Sequence, residues 1–441
     1  MRTIFAVWAV CSLLASASGQ WLETSIWVGE GTDALCYNSQ NDKVYGEIVA
    51  EGGLVVIDCA SDTVNKFIWT GAGPGSLCYN PQNNKVYDPV YDFDSVVVID
   101  GARDSVITRV AVGLSPAALC YNPQSNQVYC ANYDGRNVTV IDGATNQVVA
   151  TIPAGFGPTA LCWNSQDNKV YCANWDGNTV TVINGASNQV DTTVATGDYP
   201  GDLCYDPTNN RVYSADWGSA TVTVIDGASN QVIATVATGS EPEGLCYNPE
   251  NNKVYCANDS ANTVTVIDGA SNQVIATVAA GIRPCALEYN PENNKVYCAD
   301  AGGSTVTVID GASDQVLGTI TVGTWPCAFT WEPVRNRMYV ANEQFDHISV
   351  LRDSSLGIAE RQPPAARRLP LVPGVVRGSL DLSGEWLRDG SERFVLLDAT
   401  GRRVAALHPG RNDVSRLAPG VYFVRSAVGG RGEAHKVVIQ R

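Results

Sequence analysis

Several residue types that catalytic and nucleic-acid-binding proteins rely on are scarce in this chain. Its 441 residues hold three histidines. Only His347 falls within the repeats described below, so a His-rich copper or zinc site cannot be assembled. A catalytic triad would have to use His347 alone. No Cys-x-x-Cys-His stands ready for covalent haem. Cations are scarce too, with 29 Lys and Arg against 45 Asp and Glu, a net charge of −16. Phosphate backbones need clustered Lys and Arg, so nucleic acid is not an expected partner. Long apolar runs are missing: residues 4–14 form a stretch too short to cross a bilayer, and no transmembrane segment is expected. No helical period appears in the repeats. No cofactor, metal-ligand set or catalytic set is assigned.

What charge there is lies unevenly. Residues 1–358 carry 15 Lys and Arg against 37 Asp and Glu; residues 359–441 carry 14 against 8. Such a jump marks a domain boundary. At the start, Arg2 precedes the apolar stretch, and Ala15-Ser16-Ala17-Ser18-Gly19 follows it. That pattern predicts a signal peptide over residues 1–19 and a product that is secreted or held on the outer cell surface.

Self-comparison gives a period of 42 residues, anchored at Leu35, Leu77, Leu119, Leu161, Leu203, Leu245, Leu287 and Phe329. Each repeat holds four short runs rich in Val, Ile, Thr and Tyr, separated by turn residues such as Asn-Pro-x-Asn-Asn and Asp-Gly-Ala-Ser-Asn. Four strands at this period make a propeller blade. The last repeat lacks a fourth strand. Thr24 to Gly29 resembles the fourth strand ending at Gly323, and both glycines precede an anchor by six residues. The fold class is therefore all-β: an eight-bladed β-propeller over residues 20–353, closed by the N-terminal strand, plus a small C-terminal β-sandwich-like domain. With Tyr339-Val340-Ala341-Asn342 and the Cys-bearing variant Tyr171-Cys172-Ala173-Asn174, the repeats resemble the YVTN-type propellers of bacterial and archaeal surface proteins. The resemblance implies the fold and says little of activity.

Residues 354–375, with Pro363, Pro364, Pro370 and Pro373, read as a linker. Beyond it, strands are expected at residues 393–397, 403–407, 421–426 and 434–440. Three segments, 395–404, 417–425 and 436–441, resemble the C-terminal sorting domain of the type IX secretion system. The resemblance implies that residues 376–441 engage that machinery. The Asn-Pro that often opens such a domain is absent; Pro373-Gly374 stands there.

Strand alternation puts connections one and three of every blade on one face, and connection two with the inter-blade link on the other. The first pair varies little between blades and is expected to serve the fold. The second pair varies. It carries Tyr91, Tyr133, Trp175 and Trp217 at one equivalent position of four consecutive blades, and Tyr199, Glu243, Arg283 and Trp325 in the links. Flat aromatic faces beside charged groups suit an extracellular glycan or protein ligand; the alternative is that the aromatics only cover blade rims. A channel-mouth enzyme of lactonase or lyase type is a second reading, with Asp33, Glu243 and Arg283 as its acid–base set. A structural surface-layer component is a third. Asn132-x-Asp134-Gly135 and Asn174-x-Asp176-Gly177 fit plain turns better than calcium loops.

Cysteines follow the anchor at Cys36, Cys78, Cys120, Cys162, Cys204 and Cys246, and follow the second strand's Tyr at Cys130, Cys172, Cys256 and Cys298. Three blades hold both. Cys120 with Cys130, Cys162 with Cys172, and Cys246 with Cys256 are candidate cross-strand disulfides. The alternative is small buried thiols filling space between sheets. Cys285 and Cys327, just after the inter-blade Pro, break the pattern.

Overall fold

The computed structural model describes residues 19–353, apart from 72 and 74, and beyond them mainly the strands between 379 and 439. The signal segment and the linker expected from the sequence lie outside the described residues. Eight four-stranded antiparallel sheets follow one another along residues 20–353. We number them blades 1 to 8 by their anchors. In blade 4 the strands run Pro158–Asn164, Lys169–Asn174, Thr179–Asn184 and Gln189–Ala195. The two middle strands are buried almost throughout, because a neighbouring blade covers each face. Side chains alternate between the two neighbours. Tyr171, Val180 and Val182 of blade 4 pack with Leu203, Val212 and Ile225 of blade 5. Cys172 and Ile183 pack back onto Tyr129 and Val140 of blade 3.

The ring closes as its sequence predicts. Gln20–Trp27 pairs antiparallel with His347–Asp353, with Ile26 opposite Ile348 and Trp27 opposite His347. Ile26, Val28, Ile348 and Val350 then join Val44, Ile48, Val55 and Ile57 of blade 1 in one core. Arg337 pins the seam. Its Nε and Nη2 donate to the Glu23 carboxylate at 2.7 and 3.0 Å, and its Nη1 donates to Asp62 of blade 1 at 3.1 Å.

Connections one and three staple neighbouring blades. The turn asparagines form a ladder: Asn38 Nδ2 donates to Asn84 Oδ1 at 2.9 Å, Asn80 to Asn126 at 2.9 Å, and Asn122 to Asn168 at 2.8 Å. Lys43 and Tyr45 both reach Asp104 in the next blade, each at 2.6 Å. These bonds give a physical reason for the invariance of those turns within the chain.

The cross-strand disulfides do not form; the thirteen described cysteines are free. Cys120 lies opposite Tyr129, while Cys130 lies opposite Leu119. Blades 4 and 6 repeat the offset. A shift of one residue places the two thiols of each pair on opposite faces of the sheet, so Cys162 faces blade 5 while Cys172 faces blade 3.

Residues 359–441 form a separate unit. Within it, Arg403–Leu407, Phe394–Asp398, Gly420–Ser426 and His435–Ile439 make a four-stranded antiparallel sheet in that order. Ser379–Leu382 pairs with Gly410–Asp413, two strands that the sequence pattern did not reveal.

Candidate functional site

Connection two and the inter-blade link are joined directly by backbone hydrogen bonds. Tyr133 N–H donates to Ser115 O at 2.8 Å, Trp175 to Gly157 at 2.8 Å, Trp217 to Tyr199 at 3.0 Å, and Ala301 to Arg283 at 2.8 Å. The variable residues therefore share one face, as strand alternation requires. The accepting residue in each link has a left-handed backbone. Gly157 fills that place in blade 4, with φ +68°. Tyr199, Glu241, Arg283 and Trp325 fill it in blades 5 to 8, with φ 57–59°. Bulky residues are rare in that region.

Of the eight residues singled out in the sequence, three form a ring cluster. Trp175 lies 5.4 Å from Tyr199 and 5.9 Å from Trp217, centroid to centroid, and Tyr199 stands 6.4 Å from Trp217 at 73°. The edge of Trp175 reaches Gly201, where an added Cβ would lie 3.0 Å from the ring. Gly201 in turn lines a cavity of about 490 Å³ at this end of the channel, together with Thr159, Asp202, Glu243 and Cys285. Trp175 thus abuts a residue of the cavity wall, while none of the three rings lines the cavity itself.

Glu243, Arg283 and Trp325 make a second group. The Arg283 guanidinium lies 4.9 Å from the Trp325 ring centroid and its Nε donates to Asp259 at 3.0 Å. Glu243 faces the lumen. Water reaches it, yet the channel wall surrounds it, and this desolvation together with Asp259 pushes its carboxyl up to about 7 despite Arg283. Burial and the neighbouring Glu343 raise Asp33 to about 6. Asp202 is likewise raised by burial to about 6, although it accepts the Leu203 and Leu245 N–H groups at 2.8 Å each.

Tyr91 and Tyr133 are drawn elsewhere. Tyr133 donates its hydroxyl to Asp176 of the next blade at 2.9 Å, and Tyr91 to Asp134 at 3.5 Å. Their polar tips bind blade to blade, and so do the two aspartates of the Asn-x-Asp-Gly turns. Cys285 and Cys327 donate to backbone carbonyls, Cys285 to Pro326 O at 3.3 Å and Cys327 to Thr32 O at 3.4 Å. Burial raises both thiols, so neither is a ready thiolate. Among the described residues no group of three or more His, Cys, Asp or Glu is placed to hold a metal ion.

Sequence reasoning missed a pair of carboxylates deeper in the ring. Glu47 of blade 1 and Asp88 of blade 2 are 2% and 1% exposed. Burial and the Asp88 charge raise Glu47 well above the usual range, and burial raises Asp88. Glu47 accepts the Gly75 N–H at 3.3 Å; neither Asp88 oxygen has a hydrogen-bond partner among the described residues.

The chain is a closed eight-bladed propeller whose variable loops are gathered on one face. Residues 95–357, more than half of the chain, match the family model described as lactonase, 7-bladed beta-propeller, and the chain belongs to that family. Its ring has one blade more than the description states. No match was found among the curated proteins. Among solved structures, the chain is similar to hydrazine synthase of Kuenenia stuttgartiensis, at 18% identity over 65% of this chain and 97% of that one, with a TM-score of 0.55. It is also similar to Sqt1 of Saccharomyces cerevisiae, at 11% identity over 76% and 100%, with a TM-score of 0.65. At these identities the likeness is one of fold.

Proposed function

We propose that the chain is a secreted or cell-surface binding module that holds an extracellular glycan or peptide at the mouth carrying connection two and the inter-blade links. One observation carries this reading. Tyr199, Glu241, Arg283 and Trp325 occupy left-handed positions where blade 4 uses glycine. A bulky residue there costs about 1–2 kcal/mol, and strain of this kind is kept where a side chain is needed in place. Tyr199 joins the aromatic cluster and Arg283 stacks on Trp325. Sugar rings or peptide side chains stack on such faces, and Glu243 and Asp33 orient polar groups by hydrogen bonds. Glycan and peptide arrays probed with the full chain test the idea. Ligands that survive both Trp175→Ala and Trp217→Ala without loss would overturn it.

A second reading is lactone hydrolysis at the same mouth. The family description and Glu243, a carboxyl poised near 7 as a general base, favour it. The Arg283 guanidinium, whose charge acts on Glu243, is committed to Asp259 and Trp325, which weakens the case for an oxyanion-stabilising group. Turnover of a lactone panel that Glu243→Gln abolishes would favour the enzyme. A structural surface-layer role predicts neither ligand nor turnover.

Delivery follows from the C-terminal segments. Residues 376–441 act as the type IX sorting domain and are removed after transit. Deleting residues 417–441 should leave the protein in the periplasm; normal surface delivery of that truncation would refute the assignment.

A further inference from the structure

The channel has a second mouth, on the face of connections one and three, which the reading above does not use. The residue two places after each anchor is aromatic in all eight repeats. Each of these rings packs one side against the core of its blade, as Trp163, Tyr205, Tyr247, Tyr289 and Trp331 do in blades 4 to 8. Their tips are tethered. Trp331 Nε1 donates to Asn336 Oδ1 at 3.1 Å, and the Tyr205 and Tyr247 hydroxyls donate to Asn210 and Asn252 at 3.3 and 3.0 Å. Those asparagines sit in the left-handed turn residue, with φ near 52°. The rings are therefore fixed, with faces rather than polar tips free to meet a ligand.

These same five rings line a cavity of about 540 Å³. One carboxylate joins them, that of Glu288. Six cysteines and Thr330 occupy its equivalent position in the other blades. Glu288 forms no hydrogen bond or ion pair with the described residues, and burial alone pushes it up to about 7.

We propose that this mouth binds a small organic monocation with an apolar head, of the alkylated-ammonium class. Fixed aromatic faces attract a cation through their quadrupoles, and alkylated ammonium groups suit such cages. Glu288 supplies the matching charge. The ring tips are tied up in the fold, so a polyol would lose its water hydrogen bonds and find few replacements. An anion would meet Glu288 and a propeller segment in which 37 acidic side chains face 14 basic ones. The site stands apart from the one proposed on the opposite face, and either reading survives the loss of the other.

Calorimetry of the full chain with tetramethylammonium, with tert-butanol as its neutral counterpart, and with glucose tests the site. Tetramethylammonium should bind saturably and at least about tenfold more tightly than tert-butanol. Glu288→Gln and Trp331→Ala should each weaken it by about tenfold, while Thr145→Ala should not. If Trp331→Ala lowers the melting temperature, the isosteric Glu288→Gln decides alone. Absence of binding, equal affinity for tert-butanol, preference for glucose, or binding that Glu288→Gln leaves intact would each overturn the proposal.

Discussion

Trp217 donates its backbone N–H to the carbonyl of Tyr199 at 3.0 Å, while the two rings stand edge to face 6.4 Å apart. The hydrogen bond that joins connection two to the inter-blade link also holds the two rings of the aromatic cluster together. Truncating a stacked aromatic in a binding site costs about 1–3 kcal/mol, or roughly 5- to 150-fold in affinity. Trp175→Ala and Trp217→Ala should weaken an array-identified ligand by that much. Ser125→Ala and Thr145→Ala, in connections one and three, should change its affinity by less than about 0.5 kcal/mol. Titration calorimetry with parallel melting curves separates lost binding from a disturbed turn.

The left-handed links make a second, opposite prediction for stability. Tyr199→Gly relieves backbone strain while it removes a ring from the aromatic cluster. Its unfolding free energy should stay within about 1 kcal/mol of the parent, yet ligand affinity should fall as it does for the tryptophan variants. A large loss of stability in urea would mean that the ring serves packing instead.

Glu47 predicts how stability depends on pH. Its folded-state carboxyl lies well above the ordinary value of about 4.5, so the folded chain keeps a proton that the unfolded chain releases. That contribution is fully present below about pH 4.5 and is lost as pH rises through the folded-state value. Glu47→Gln carries its polar group without a charge. Its unfolding free energy in urea should vary less between weakly acid and weakly alkaline buffer, and at the alkaline end it should exceed the parent's by about 1–2 kcal/mol.

The seam can be tested at Arg337, which holds Glu23 of the closing strand and Asp62 of blade 1. Its side chain is about 10% exposed. Arg337→Ala leaves Asp62 without its cation and Glu23 with only the more exposed Arg352, and should cost about 3 kcal/mol. The loss should show as a lower denaturation midpoint.

The thiols predict insensitivity to reductant. Each cross-strand pair lies on opposite sheet faces, so dithiothreitol should leave the melting temperature unchanged. Alkylation after unfolding should label all thirteen cysteines seen here as free; a mass deficit of two thiols would contradict the register.

Much of the fold was readable because the period repeats without drift. Anchors counted the blades, and the matched spacing at Gly29 and Gly323 placed the closing strand within a few residues of Gln20–Trp27. The thiol geometry was not readable, because it depends on how many residues the first turn contains. Asn122 pairs with Gln127, and that choice sets Cys120 opposite Tyr129 rather than Cys130. Backbone handedness at Tyr199 and Arg283 left no trace in the pattern of apolar residues. The aromatic mouth was hidden by its own regularity. A ring present in every repeat offers no contrast between blades, although its place on the channel-lining strand is a signal that finds it. Ser379–Leu382 and Gly410–Asp413 are four residues each, too short for alternation to stand out.

The pairing of Gln20–Trp27 with His347–Asp353 also governs the order of events when the chain is made. The first of these strands to leave the ribosome has no partner until nearly the whole propeller has followed it. Until then blade 8 has no fourth strand, and Arg337 cannot meet Glu23. The contact spans most of the molecule's length, and pairing at such separation is slow because loop closure must precede any gain. The final ring is therefore gated by the meeting of its two ends, and a nascent chain remains an open, unlatched arc until that meeting occurs.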